Sequence, residues 1–188
     1  MVALAASAGG LTALGKVLGA LPAAFPVPIL VLEHLLPEHR SVLAEILARR
    51  TPLRVKQVED GETIHAGTAY IAPPDAHTVV RAGGTVHLET GPPVRFVRPS
   101  ADLLFDSVAN VYGPRALVVV LTGTGRDGAA GVTAVKEAGG AVFAQDEATS
   151  EHWGMPRAAI ETGAVDRVLP LEEIPEAISG MIAVGERA

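Results

Sequence analysis

The sequence contains no cysteine, which excludes disulfide bonds, thiolate zinc sites and cysteine nucleophiles together. It also lacks long apolar runs, since the longest, residues 27–32 and 116–121, are far too short to cross a bilayer. No secretory signal precedes the first predicted element, and no long basic run stands against the net charge of −6. We therefore expect no membrane insertion and no nucleic-acid partner.

What the sequence does contain is typical of a folded globular protein. Its 188 residues are 48% apolar and 19% charged, with a mean hydropathy of +0.33. A chain of this length can bury a core of its own, and it is too apolar to be a disordered tail. We expect a single domain over residues 1–188, located in the cytoplasm. The oligomeric state stays open.

Predicted strands and helices alternate for most of the chain. Short strands are predicted at residues 2–6, 28–32, 53–58, 68–72, 115–122, 141–145 and 166–169, with apolar residues at helical spacing between most of them. Gly83-Gly84 predicts a hairpin between residues 77–81 and 85–89. The pattern predicts an α/β fold: a doubly wound, mostly parallel sheet with helices on both faces and a β-hairpin insertion.

In such a sheet, ligands bind beyond the carboxyl ends of the strands, so polar residues that directly follow a strand are candidates. Ser7 follows the first strand, His34 closes the second, and Asp127 lies in the glycine-rich loop after residue 122. These are the parts of a nucleophilic triad, in which the imidazole takes the serine proton and the carboxylate orients the imidazole. Asp146, after the next strand, is the alternative acid.

The residues after Ser7 suit a nucleophile. Ala8, Gly9 and Gly10 leave room for a sharp turn and for a substrate close to the backbone. A following helix would direct free N–H groups at developing negative charge. Because alanines precede Ser7, this is not the G-x-S-x-G elbow of the α/β-hydrolases.

Six segments along the chain have a joint order and spacing that is specific. They are Ala6-Ser7-Ala8-Gly9-Gly10, His34-Leu35-Leu36-Pro37, Tyr70-Ile71-Ala72-Pro73-Pro74-Asp75-Ala76-His77, Arg98-Pro99-Ser100-Ala101-Asp102, Leu121-Thr122-Gly123-Thr124-Gly125-Arg126-Asp127-Gly128 and Gly154-Met155-Pro156-Arg157. Together they resemble the catalytic domain of the CheB family, the chemotaxis protein-glutamate methylesterases.

The resemblance implies a serine esterase mechanism with Ser7 as nucleophile, His34 as base and Asp127 as the acid of the triad. The family hydrolyses γ-glutamyl methyl esters on the cytoplasmic helices of chemoreceptors and releases methanol. Some members also deamidate receptor glutamines. The implied partner is therefore a methylated chemoreceptor.

The resemblance also suggests which residues contact the substrate. Backbone N–H groups near Ala8 and Thr124 are the candidate oxyanion donors, with Gly9, Gly10 and Met155 as further substrate-binding residues. No cofactor and no metal are implied.

Three features depart from the family pattern. The family usually carries an N-terminal phosphorylatable receiver domain, for which this chain has no room, so regulation by phosphorylation in cis is not expected. Thr124 stands where the family often has methionine, which puts the shape of the pocket in question. Glu33 precedes His34, but neighbouring side chains on a strand should point to opposite faces.

Other interpretations compete with the esterase. Gly123, Gly125 and Gly128 form a literal G-x-G-x-x-G between a strand and a helix, followed by Asp146, which is the pattern of a dinucleotide-binding site. A domain that binds receptors or signalling partners without catalysis would carry the same scaffold.

Ordinary structural roles are also available for the candidate residues. Ser7 alone could cap a helix, and His34 could cap or pack. Glu33, His34, Glu38 and His39 invite a metal interpretation, although their spacing is not H-E-x-x-H. The histidines at positions 65, 77, 87 and 152 are expected to be surface or structural residues, and Trp153 is expected to pack.

Overall fold

The computed structural model describes residues 1–34 and 41–185. Within them the strands are β1 (Val2–Ala6), β2 (Ile29–Glu33), β3 (Arg54–Gln57), β4 (Glu62–Thr63), β5 (Thr68–Ile71), β6 (His77–Arg81), β7 (Thr85–Glu89), β8 (Leu117–Val120), β9 (Ala141–Gln145) and β10 (Arg167–Leu169). The α-helices are α1 (Gly10–Gly19), α2 (Leu43–Ala48), α3 (Ala101–Tyr112), α4 (Ala129–Glu137), α5 (Gly154–Ile160) and α6 (Ile174–Gly185). In this part of the chain no helix is both long and apolar enough to span a bilayer.

A seven-stranded sheet forms the centre of the molecule, in the order β10-β9-β8-β1-β2-β5-β3. Every neighbouring pair is parallel, and Val2 of β1 lies opposite Ile29 of β2 and Leu117 of β8. The central strands are fully buried because helices cover both faces, which is why they are apolar without alternation. The predicted doubly wound, mostly parallel sheet is confirmed.

Alternate residues of the central strands feed two separate cores. Ala3 and Ala5 of β1 pack with α3, α4 and α5, whereas Leu4 packs with α1, α2 and α6. Alanines on the first face let α3 and α4 approach the sheet closely. That closeness matters because both helices begin at the edge where the predicted site lies.

The predicted hairpin insertion is also present, with Gly83 and Gly84 at φ values of 85° and 73° in its turn. It is the larger part of a three-stranded antiparallel sheet, β4-β7-β6, whose third strand was not predicted. β4 has only two residues, too few for a periodic pattern. The strand predicted at residues 115–122 is shorter, because a 3₁₀ turn (Gly113–Arg115) precedes it.

The path of the chain through the sheet determines where a ligand crevice forms. From β1 the chain moves to β2 and its neighbours on one side, and later returns to β8 on the other side. The loops that follow β1 and β8 therefore diverge at their carboxyl ends, which opens a crevice at this switch point. Ser7 and the glycine-rich residues 121–128 lie in these two loops.

Candidate active site

Ser7 lies on the tight turn between β1 and α1. Its N–H donates to Thr122 O at 3.0 Å, and its carbonyl accepts from the N–H of Gly10 at 2.7 Å. The N-cap of α1 is Gly9, whose φ of 81° is the left-handed conformation that glycine tolerates. Ser7 is therefore not the cap of this helix, and among the described residues its hydroxyl has no hydrogen-bond partner.

Gly123, in the loop that follows β8, lies directly against Ser7. A Cβ at this position would be 2.9 Å from Ser7 Cβ and 3.1 Å from Ser7 N, and it would overlap Met155 Sδ. The N–H of Gly123 donates to His152 O, and its carbonyl accepts from the N–H of Met155, both at 2.8 Å. A glycine is required here because the two loops meet backbone to backbone.

His34 follows β2 and forms a hydrogen bond to the predicted acid. Its backbone N–H donates to Ala6 O at 3.1 Å, and its Nε2 lies 2.8 Å from Asp127 Oδ2. An ionised carboxylate only accepts, so Nε2 carries the proton in this pair. The other ring nitrogen, Nδ1, is then left with the lone pair that a general base needs.

Asp127 is 4% exposed and accepts four hydrogen bonds. Besides His34, the donors are the N–H of Ala101 at 2.6 Å, the N–H of Asp102 at 3.1 Å and the Ser100 hydroxyl at 2.9 Å. Burial raises the pKa of Asp127, but the hydrogen bonds from His34 and from the first turn of α3 outweigh it and hold the pKa below its usual range. The carboxylate is therefore ionised and fixed.

The start of α3 is held by residues that sequence reasoning did not assign to the site. His77, 1% exposed, accepts the N–H of Ser100 on Nδ1 at 3.1 Å and donates from Nε2 to Pro92 O at 3.0 Å. Ser100 occupies the predicted N-cap position, but its hydroxyl bonds to Asp127 instead of to its own helix. The Arg98–Asp102 segment of the family resemblance was the available signal for this support.

Ser7, His34 and Asp127 line one cavity of about 460 Å³. The other lining residues are Arg95, Phe96, Val97, Thr124, Gly125 and Arg126. The structure thus brings the predicted serine, histidine and aspartate to the same cavity. It does not bring Asp146 there, because that carboxylate accepts the N–H and hydroxyl of Thr149.

The predicted substrate-contacting residues fall into two groups. Among the described residues, the N–H groups of Ala8, Gly9 and Thr124 have no backbone or side-chain acceptor, so they are available to an oxyanion. Gly10 is buried and its N–H already bonds to Ser7 O, so it offers no free N–H to an oxyanion. Met155 is fully buried behind Gly123 and is not among the residues that line the cavity.

The glycine motif does lie between a strand and a helix, as a dinucleotide site requires, but its anion position is filled. Asp102 Oδ1 accepts the N–H groups of Ala130 and Gly131, both at 2.9 Å, at the beginning of α4. A pyrophosphate would have to displace this carboxylate and would meet Asp127 beside it. The geometry therefore favours the triad over the dinucleotide interpretation.

Two residues of the metal interpretation, Glu38 and His39, lie outside the described residues, as do Leu35, Leu36 and Pro37. Among residues 1–34 and 41–185 no three histidine or acidic side chains are grouped as a metal site requires. Glu33 packs against Gly10, whose Cβ would lie 2.7 Å from Glu33 Oε1. It forms no hydrogen bond to His34, as expected from their positions on the strand.

Glu33 is a buried carboxyl group that lacks a full set of hydrogen-bond partners among the residues the structure describes. It is 8% exposed, and its Oε2 has no hydrogen-bond partner in the described part of the chain. Burial raises the pKa of Glu33 to about 7, against smaller opposing effects of the Leu11 N–H and the charge of His34. The carboxyl is therefore close to half-protonated near neutral pH.

The chain is similar to known proteins over nearly its whole length. The family model described as CheB methylesterase matches residues 2–178. The protein-glutamate methylesterase FrzG of Myxococcus xanthus is 45% identical over 184 residues, which are 98% of this chain and 55% of that protein. A protein-glutamate methylesterase/protein-glutamine glutaminase of Anaeromyxobacter dehalogenans is 48% identical over 178 residues, or 95% of this chain and 52% of that protein.

A solved structure is similar to this chain in both fold and sequence. The crystal structure of the Thermotoga maritima CheB methylesterase catalytic domain matches with a TM-score of 0.92 and 39% identity, covering 96% of this chain and 97% of that one. The chain spans about half the length of the curated relatives it matches.

Proposed function

Because this chain belongs to the CheB methylesterase family, we propose that it hydrolyses γ-glutamyl methyl esters on the cytoplasmic helices of chemoreceptors, in the cytoplasm, and releases methanol. The observation that carries the proposal is the 2.8 Å His34–Asp127 pair, which opens on the same cavity as Ser7. The proposed triad needs no cofactor.

In the first half of the reaction, Ser7 Oγ attacks the ester carbonyl and its proton passes to His34 Nδ1. Asp127 keeps the proton on Nε2 and stabilises the imidazolium that forms. The tetrahedral intermediate then collapses, the bond from the carbonyl carbon to the methoxy oxygen breaks, and His34 returns the proton to the leaving methoxide. Methanol departs, and a glutamyl ester of Ser7 remains.

In the second half, water attacks the glutamyl–serine ester while His34 takes one of its protons. The bond to Ser7 Oγ breaks, and the histidine returns the proton to this oxygen. The products are a glutamate side chain and the original Ser7 hydroxyl. Each half uses the same base because a histidine can accept and return a proton near neutral pH.

Both tetrahedral intermediates carry an oxyanion that needs donors. The N–H groups of Ala8 and Thr124 come from the two loops on either side of the crevice, and one such donor contributes about 2.7–4 kcal/mol of transition-state stabilisation. A backbone donor at Thr124 does not depend on the side chain, so threonine can stand where the family often has methionine.

Deamidation of receptor glutamines is a second candidate activity of the same site. Several relatives are named protein-glutamate methylesterase/protein-glutamine glutaminase. An amide passes through the same acyl intermediate, with ammonia in place of methanol as the leaving group. The charge and shape demands on the oxyanion donors are unchanged.

The test is methanol release from a methylated chemoreceptor by the wild type, by Ser7→Ala and by the control Ser179→Ala, whose serine lies on α6 and bonds to Pro175 O. Ser7→Ala should lose at least 10³-fold in kcat with an unchanged circular dichroism spectrum, while the control keeps wild-type turnover. Wild-type turnover by Ser7→Ala would refute the mechanism. Receptor binding by the wild type without any methanol release would identify a binding domain instead.

A further inference from the structure

The rim of the cavity carries a tight turn with an unusual backbone. Val94 and Val97 exchange two hydrogen bonds of 3.0 and 2.9 Å, so Arg95 and Phe96 alone form the turn. Both have positive φ, 47° and 70°, a conformation that non-glycine residues adopt only at an energetic cost. As a result of this strained turn, Phe96 lies at the mouth of the cavity with its side chain fully exposed.

The turn is anchored rather than loose. Arg95 Nε donates to Asp102 Oδ2 at 3.1 Å, which links the turn to the helix that holds Asp127. At its base, Arg98 forms an ion pair with Asp75 and donates to Gly91 O at 2.8 Å. Because the backbone of the turn is already held, a partner that covers Phe96 has to immobilise only its side chain, and such anchored aromatic residues are typical of binding hot spots.

Positive charge lies on the same rim in a chain whose net charge is −6. The Arg95 side chain lines the cavity and is 51% exposed although its Nε is bonded to Asp102. Arg126, also exposed, has no ion-pair partner among the described residues. Glu151 lies against Gly9 but does not line the cavity. The rim next to the candidate nucleophile therefore presents cationic groups and an aromatic ring.

We propose that Phe96, Arg95 and Arg126 form the surface that selects the protein substrate, an acidic helix whose ester-bearing glutamate is flanked by carboxylates and by an apolar side chain. The apolar side chain packs on Phe96, and the flanking carboxylates pair with the two guanidinium groups. This inference rests on the proposed function, because it names the polypeptide that presents the ester to Ser7. It assigns specificity to the Arg95–Phe96 turn and to Arg126, none of which takes part in bond making.

The test measures binding separately from catalysis. Two labelled helical peptides carry methionine, an uncharged side chain that the site can neither hydrolyse nor deamidate, in place of the esterified glutamate. It is flanked by glutamates in one peptide and by lysines in the other. Their Kd values are measured by fluorescence anisotropy for the wild type, Arg126→Glu and the control Arg49→Glu, an equal charge change at the opposite end of the sheet. Phe96→Ser is compared with Val168→Ser, an exposed apolar residue on β10.

The wild type should prefer the glutamate-flanked peptide by at least tenfold at low salt, and the preference should shrink as salt screens the charges. Arg126→Glu should abolish or reverse it, whereas Arg49→Glu keeps it. Phe96→Ser should raise the Kd of both peptides about tenfold, and Val168→Ser should leave both Kd values unchanged. An unaltered preference in Arg126→Glu, or unaltered affinity in Phe96→Ser, overturns the inference. Methanol release from the matching ester peptides tests the proposed function by itself.

Discussion

Asp127 binds the start of α3, to which Asp102 belongs, and Asp102 binds the start of α4, which Asp127 precedes. Asp127, in the loop before α4, accepts the N–H groups of Ala101 and Asp102 at the start of α3. Asp102, in the first turn of α3, accepts the N–H groups of Ala130 and Gly131 at the start of α4. Because negative charge is stabilised at helix N-termini, each carboxylate fixes the other's helix, and with it the position of the acid that orients His34.

The first prediction follows from this pairing. Asp102→Ala leaves two N–H groups of α4 and the guanidinium of Arg95 without their acceptor, so the free energy of unfolding should fall by about 1–3 kcal/mol. Asp127 should lose its fixed placement, and kcat for ester hydrolysis should fall about tenfold or more. The measurements are urea denaturation and methanol release.

The matched control for this variant is Asp106→Ala on the same helix. Asp106 is exposed and bonds only to Asn110 within the described residues. Its loss should change the free energy of unfolding by less than about 0.5 kcal/mol. Equal effects of the two substitutions would show that Asp102 has no special role.

The second prediction concerns the contact between the two loops of the site. Gly123→Ala places a methyl group against Ser7 Cβ and Met155 Sδ, so the Ser7 turn must shift from its present position. Both the free energy of unfolding and kcat should decrease, by about 1–3 kcal/mol for the former. Steady-state methanol release and thermal denaturation measure the two effects.

Gly180→Ala on α6 serves as the comparison, because within the described residues only its chain neighbours and the nearby backbone of α6 lie within 4 Å of the place its methyl group would take. Alanine is the better helix former by about 1 kcal/mol, so this variant should be at least as stable as the wild type and fully active. Full activity of Gly123→Ala would contradict the close approach described for Ser7.

How far sequence reasoning succeeds depends on how local each signal is. Ser7 and His34 directly follow strong apolar strands, so their edge of the sheet could be predicted, and the doubly wound fold followed from the alternation. Asp127 could not be separated from Asp146 by position alone. The choice depended on the family resemblance, since both residues follow strands.

Other features depend on contacts between distant residues. The link between Asp102 and α4 joins two helices that no periodicity pairs, and the burial of Met155 depends on how closely α5 packs on Gly123. The turn at Arg95 and Phe96 carries no glycine or asparagine, the usual signal for positive φ. Residues 91–99 therefore read only as irregular.

The third prediction is a pH dependence of stability that depends on Glu33. Its pKa is about 7 in the folded protein, whereas an unfolded glutamate titrates near about 4.3. Between these values the folded state binds the proton that the unfolded state has lost, so stability falls as pH rises through this range. The decrease is on the order of 3–4 kcal/mol from this group and levels off about one pH unit above 7.

Glu33→Gln keeps the shape of the side chain but cannot ionise. The free energy of unfolding is measured for both proteins by urea denaturation from pH 4.5 to 8. The value for Glu33→Gln minus that for the wild type should increase as pH rises toward 7 and should stay high above pH 7. Parallel curves for the two proteins across this range would show that Glu33 ionises as an ordinary surface glutamate does.

The central claim is that Ser7 becomes covalently bonded during turnover. A glutamyl peptide carrying an activated phosphonate in place of its methyl ester tests this directly, with mass spectrometry of the tryptic peptide of residues 1–16. We expect one phosphonyl group per chain on Ser7, slower labelling in Asp127→Asn and none in Ser7→Ala. The mechanism would be contradicted if activity were lost while the tryptic peptide of residues 1–16 stayed unmodified, or if the label were found on another residue.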